Sequence, residues 1–150
     1  DGHAPGGPGL VSPVPVPEGS QGIDERLALA RRRIRRYRPE EALSATRAGA
    51  VLVDIRPAAQ RREFGEIPGA LVIERNVLEW RLDPRCDARI RDVARFDLEV
   101  IVVCQEGYTS SLAADSLREL GLSLAGDLDG GYAAWRDAGL PVIDGRPRDA

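Results

Sequence analysis

The residue best placed to do chemistry is Cys104, the last of the run EVIVVC, followed at once by QEGYTS and then by the helix-like stretch SLAADSLRELG. Backbone N–H groups of residues 105–110 lie before or at a helix start, where intrahelical partners are missing, so they are free to converge above the thiol. The helix end adds about half a positive charge at the same point. Gly107 supplies the positive φ that so tight a loop needs. A nest of this kind favours a thiolate, a persulfide, or the oxyanion of a sulfur- or phosphorus-containing substrate. The bland alternative is an inert strand-end cysteine followed by an ordinary glycine turn. Cys86, in LDPRCDAR, lacks these surroundings and reads as structural or merely exposed.

The elements around Cys104 must hold that loop. EVIVVC is a nearly continuous Val/Ile run, as expected of a parallel strand covered on both faces. Further strands are expected at Ala50–Arg56, Leu71–Glu74 and Ser123–Leu128. Helices are expected at Pro39–Ala48, over VLEWRL with Asn76 as cap, over Ala88–Arg95, from the Thr109–Ser111 cap region to Gly121, and around Tyr132–Ala138. This alternation predicts an α/β fold, a parallel sheet with helices on both faces, whose chemistry gathers at the carboxyl ends of the strands. Arg56 follows Asp54 at one such end, which makes it a candidate for substrate binding or for pairing with Asp54 or a loop carbonyl. Trp80 and Trp135 are expected to pack between helices and sheet.

Ahead of these elements lie two other segments. Residues 1–22 are rich in Gly and Pro and read as a disordered tail. Residues 23–37 form an Arg-rich entry helix, capped by Asp24, whose Arg31, Arg32, Arg33, Arg35 and Arg36 read as a solvated face. Residues 38–143 hold the folded domain, and 144–150 form a second disordered tail.

Composition narrows the chemistry. His3, the only histidine, sits in the Gly/Pro-rich leader, so the folded part has no imidazole to act as general base or ligand. Two separated cysteines make no zinc set, and no metal or other cofactor is expected. All 21 basic residues are arginine, which excludes Schiff-base and P-loop lysines. A net charge of −3 argues against a nucleic-acid binder, and no apolar run is long enough to enter a membrane. Reduced thiols and the lack of an export signal point to the cytoplasm.

Three blocks, in order, carry a family resemblance: LVDIRP followed by EIPGA, then CQEGYTSSLAADSL, then LDGGYAAWRDAGLPV. Together they resemble the rhodanese-type sulfurtransferases, whose active-site loop has the form C-x-x-G-x-[RT]. The resemblance implies a single rhodanese-like domain of about five parallel strands, with Cys104 as nucleophile taking up sulfane sulfur as a persulfide. It implies a cradle of amides from Gln105, Glu106, Gly107, Tyr108 and Thr109, helped by the hydroxyls of Thr109 and Ser110. The implied partners are a small sulfur donor and a thiophilic acceptor, an acceptor protein among them. Glu106 departs from the basic loops of members that use thiosulfate readily, and Glu66 stands where the family more often has histidine. Tyr132, in the closing block, is a candidate pocket residue.

Two other functions are weighed on the same residues. Cell-division-type phosphatases share this fold but place arginine six positions after the cysteine, where this chain has Ser110. A non-catalytic binding or regulatory module is the alternative that keeps the fold without the chemistry.

Overall fold

The computed structural model describes residues 14–145. The leader expectation for residues 1–13, with His3, and the tail expectation for residues 146–150 fall outside the described residues. Val14–Gly22 is exposed and leads into α1, Ile23–Arg33. This helix begins one residue after Gly22, so Asp24 lies in its first turn and not at its cap. It also ends earlier than the entry helix expected over residues 23–37: Arg35–Tyr37 is a strand, β1. Tyr37 decides the outcome, since its fully buried ring joins the core and the extended backbone pairs with a neighbouring strand.

Then follow α2 (Pro39–Arg47), β2 (Val51–Asp54), α3 (Ala58–Phe64) and β3 (Leu71–Val72). A 3-10 turn at Arg75–Val77 leads into α4 (Leu78–Leu82). The rest is β4 (Val100–Val103), α5 (Thr109–Glu119), β5 (Gly126–Leu128) and α6 (Gly131–Asp137). Asn76 is inside the 3-10 turn and not a cap, and the helix expected at Ala88–Arg95 is a series of turns. Leu98, Ala94 and the partly buried Ile90 and Val93 anchor that segment without a helical hydrogen-bond ladder.

The five strands pair in parallel in the order β1-β5-β4-β2-β3. The central strand β4 is buried along its whole length. Its alternation sends Val100 and Val102 to one face, with Leu78, Leu82, Leu117 and Leu122, and Ile101 and Val103 to the other, with Tyr37, Leu128, Tyr132 and Trp135. Burial of each such side chain contributes about 1.5–3 kcal/mol, so both faces are strongly held. Trp135 packs as expected and donates its indole N–H to the Pro141 carbonyl at 2.8 Å, but Trp80 is 59% exposed, because α4 buries only Leu78 and Leu82. The chain beyond α6 folds back, with Ile143 bridging Glu66. Among the described residues no helix is long and apolar enough to cross a membrane.

Candidate active site

β4 ends at Val103 and α5 begins at Thr109, so the chain must turn from strand to helix within five residues, starting at Cys104. Gly107 makes the turn with φ +86°, and a Cβ there would lie 2.7 Å from the Gly130 nitrogen, so the position needs both its backbone freedom and its lack of a side chain. The turn brings two amides onto the thiol: Gly107 N–H donates to Cys104 Sγ at 3.2 Å and Ser110 N–H at 3.4 Å. Cys104 is 5% exposed, yet it lines an open cavity of about 530 Å³. The sulfur therefore has apolar surroundings from the sheet on one side and peptide hydrogens on the other. The axis of α5, eleven residues long, directs its positive end toward it.

The strand end of the loop is fixed by α6. Tyr132 N–H donates to the Cys104 carbonyl at 2.9 Å, and Ala133 N–H to the Gln105 carbonyl at 3.0 Å. Gly131 permits that approach: at φ +64°, a Cβ would lie 2.5 Å from the Cys104 carbonyl oxygen and 2.7 Å from the Gly107 nitrogen.

Arg56 borders the cavity from within a buried ion pair. It is 1% exposed, and its guanidinium holds Asp54 through Nε to Oδ1 (3.0 Å) and Nη2 to Oδ2 (2.8 Å). It also donates to the Gly65 carbonyl and, through Nη1, to Gln105 Oε1 at 2.9 Å, while lying over the Tyr132 ring, 4.2 Å from its centroid. A buried ion pair is secure only when its remaining donors are satisfied in this way. Gln105 is thereby a side chain held by Arg56. Tyr132 lies beneath the site and donates its hydroxyl to the Phe64 carbonyl at 2.8 Å. Burial pushes its phenol above the ordinary value.

The other expected residues divide. Glu106, Tyr108 and Thr109 line the cavity and are exposed. Ser110 lines no part of it, because its buried hydroxyl donates to Asp127 Oδ2 at 2.7 Å. Its contribution to the sulfur is its amide and not, as expected, its hydroxyl. The opposite wall, from Gln60 to the Glu74–Asn76 turn, had no signal in the sequence. Arg75 there bridges Glu79 at 2.8 Å. Desolvation alone would raise the Glu79 carboxyl, but hydrogen bonds from Ser116, its own backbone and Arg75 outweigh it and hold the group below the ordinary value. Among the described residues, no cluster of three or more His, Cys, Asp or Glu side chains could hold a metal ion.

Known proteins resemble this chain in sequence and in fold. The family model for the rhodanese-like domain matches residues 38–138. The thiosulfate sulfurtransferase GlpE of Pseudomonas entomophila is 36% identical over 102 residues, which cover 68% of this chain and 84% of the relative. That of Pseudomonas putida is 37% identical over 103 residues, with the same coverage. A solved structure from Rhodopseudomonas palustris, a protein of unknown function described as a possible tyrosine phosphatase, superposes with a TM-score of 0.76 at 30% identity, covering 88% of this chain and 99% of its own. The polysulfide-sulfur transferase homodimer of Wolinella succinogenes shares the fold, with a TM-score of 0.62 at 19% identity over 79% of this chain and 85% of its own. With a parallel five-stranded sheet, a cysteine loop at the end of its central strand and a family match over two-thirds of its length, the chain belongs to the rhodanese-like domain family.

Proposed function

We propose that the chain is a sulfurtransferase that carries sulfane sulfur as a persulfide on Cys104. The observation that supports this most is the convergence of the Gly107 and Ser110 amides on Sγ beside an open cavity. An anionic sulfur gains from such donors without any side chain having to move a proton. With thiosulfate as donor, the Cys104 thiolate attacks the outer sulfur. A new S–S bond forms, the donor's S–S bond breaks, sulfite leaves with the bonding pair, and one negative charge stays on the terminal sulfur. An acceptor such as cyanide or a thiolate then attacks that sulfur, the S–S bond breaks and the thiolate returns. Both cysteines are unpaired, which suits a reducing, cytoplasmic setting.

The cavity wall carries both signs, Arg56 and Arg75 beside Glu74 and Glu106, with the two guanidiniums already paired to Asp54 and Glu79. Thiosulfate, a dianion, meets no surplus of positive side chains there, so a persulfide or polysulfide donor of lower charge fits better. A phosphate ester would need the guanidinium fork that Ser110 does not supply. Steady-state kinetics with thiosulfate and cyanide test the reading. Parallel double-reciprocal lines, lost in Cys104→Ser, are expected; turnover surviving that substitution overturns it. No release of phosphate from aryl phosphates is expected.

A further inference from the structure

The sulfur-facing loop is braced from behind by residues that lie before residue 38, where the family match begins. The Gly107 carbonyl accepts Arg31 Nη2 at 2.8 Å and Arg36 Nη2 at 3.0 Å. Arg31 stands on α1 and Arg36 on β1. Arg36 Nε donates to Asp127 Oδ1 at 3.0 Å, and the fully buried Asp127 accepts both Ser110 Oγ and Ser111 Oγ on Oδ2 at 2.7 Å. Arg31 Nε closes the circuit on Ser111 Oγ at 3.1 Å. Thus the two residues whose amides touch Cys104 Sγ, Gly107 and Ser110, are each tied by their other polar group to one Arg31–Arg36–Asp127 cluster.

We propose that Arg31 and Arg36, joined through Asp127, are positioning residues that arm the Cys104 loop, so that the N-terminal segment preceding the family domain activates its sulfur chemistry. The inference rests on Cys104 being the sulfur carrier. Two physical effects carry it. Pinning the Gly107 carbonyl to two guanidinium groups fixes the planar peptide that follows, and with it the loop whose amides face the sulfur. Hydrogen bonds to charged donors are stronger than neutral ones, so the two guanidiniums hold the Gly107 carbonyl, and with it the Gly107 N–H that meets Sγ, more firmly than neutral donors would. A merely architectural pair would need only Arg36 and Asp127. Arg31 instead bonds the loop carbonyl and the helix-start hydroxyl.

The test uses the full chain in a Cys86→Ser background, so that only Cys104 reacts, and follows the rate of iodoacetamide alkylation against pH. Arg31→Met, which keeps the apolar stem, is expected to move the reactivity midpoint up and to slow alkylation below it severalfold. Arg33→Met, on the same helix but bonded to Asp115 and not to the loop, is expected to leave the midpoint in place. Arg31→Lys keeps a charge without the two-pronged geometry and is expected to fall between parent and Arg31→Met. A parental midpoint in folded Arg31→Met overturns the proposal. Should Arg31→Met not fold, Arg31→Lys decides: a raised midpoint supports it and a parental one overturns it. Alkylation needs no sulfur donor, so a chain that never takes up sulfur refutes the sulfur-carrier reading separately, through its unchanged mass after donor treatment.

Discussion

Gly131→Ala is expected to disable the site without removing any group that does chemistry. A Cβ at this position would lie 2.5 Å from the Cys104 carbonyl oxygen, 2.7 Å from the Gly107 nitrogen and 2.8 Å from the Gln105 carbonyl carbon. All three are backbone atoms, so no side chain can swing aside. Restoring ordinary contact at the closest of them requires a shift of about 0.9 Å, working from 2.5 Å to roughly 3.4 Å. The Gly107 N–H now sits 3.2 Å from Sγ, and displacement on that scale takes it out of hydrogen-bond range. Misplacement by about 1 Å costs on the order of 100-fold in rate. The left-handed backbone adds about 1–2 kcal/mol of strain for any L side chain. Gly69→Ala is the matched control, since Gly69 has φ +79° but nothing within 4 Å of its would-be Cβ. It carries the strain alone. Thiosulfate–cyanide turnover, read beside a thermal melt, separates the two: both variants lose stability, and only Gly131→Ala loses the roughly 100-fold in kcat/KM. Equal activity in the two variants would refute the reasoning.

Three further outcomes are expected. Glu106→Lys is expected to lower the thiosulfate KM severalfold with kcat little changed, because it replaces an anion on the cavity wall; an unchanged KM contradicts the charge argument. Asp127→Asn removes a fully buried carboxylate that serves Arg36, Ser110 and Ser111, and is expected to lower unfolding stability in urea by about 3 kcal/mol; a parental midpoint counts against the network. Burial, with the hydrogen bond and charge of Glu99, pushes the Tyr37 phenol up to about 12 from an ordinary 10. The folded state therefore holds that proton more tightly than the unfolded chain, so the stability Tyr37 contributes is intact below pH 10 and is lost as pH climbs through 12. Tyr37→Phe is expected to flatten that alkaline decline in denaturation curves taken between the two values; an identical decline refutes it.

The sequence already made the centre of the molecule legible. A Val/Ile run ending in cysteine, then glycine, then hydroxyl-rich helix start can fold in few ways, and the structure places Cys104 at that junction with Gly107 in the positive-φ turn. Long-range partners were less legible. Arg31 and Arg36 sit in an arginine run whose local pattern is that of a solvated face, and they meet Gly107 only because α1 packs on α5 and β1 pairs with β5. Asp127 was the one available clue, a carboxylate inside a buried strand that must find donors. The partner of the Ser110 hydroxyl was hidden for the same reason, since it turns inward to that carboxylate while the amide meets the sulfur. β1 was hidden because three residues carry no period, and Ala88–Arg95 was overread because helix-compatible composition is common in segments that tertiary contacts hold as turns.

The mass of the intact protein after exposure to a polysulfide or thiosulfate and removal of the excess tests Cys104 as the sulfur carrier most directly. The predicted result is the addition of one sulfur atom, mapped to Cys104, absent from Cys104→Ser and discharged by cyanide with formation of thiocyanate. An unmodified mass with every donor, or added sulfur located on Cys86, would contradict it.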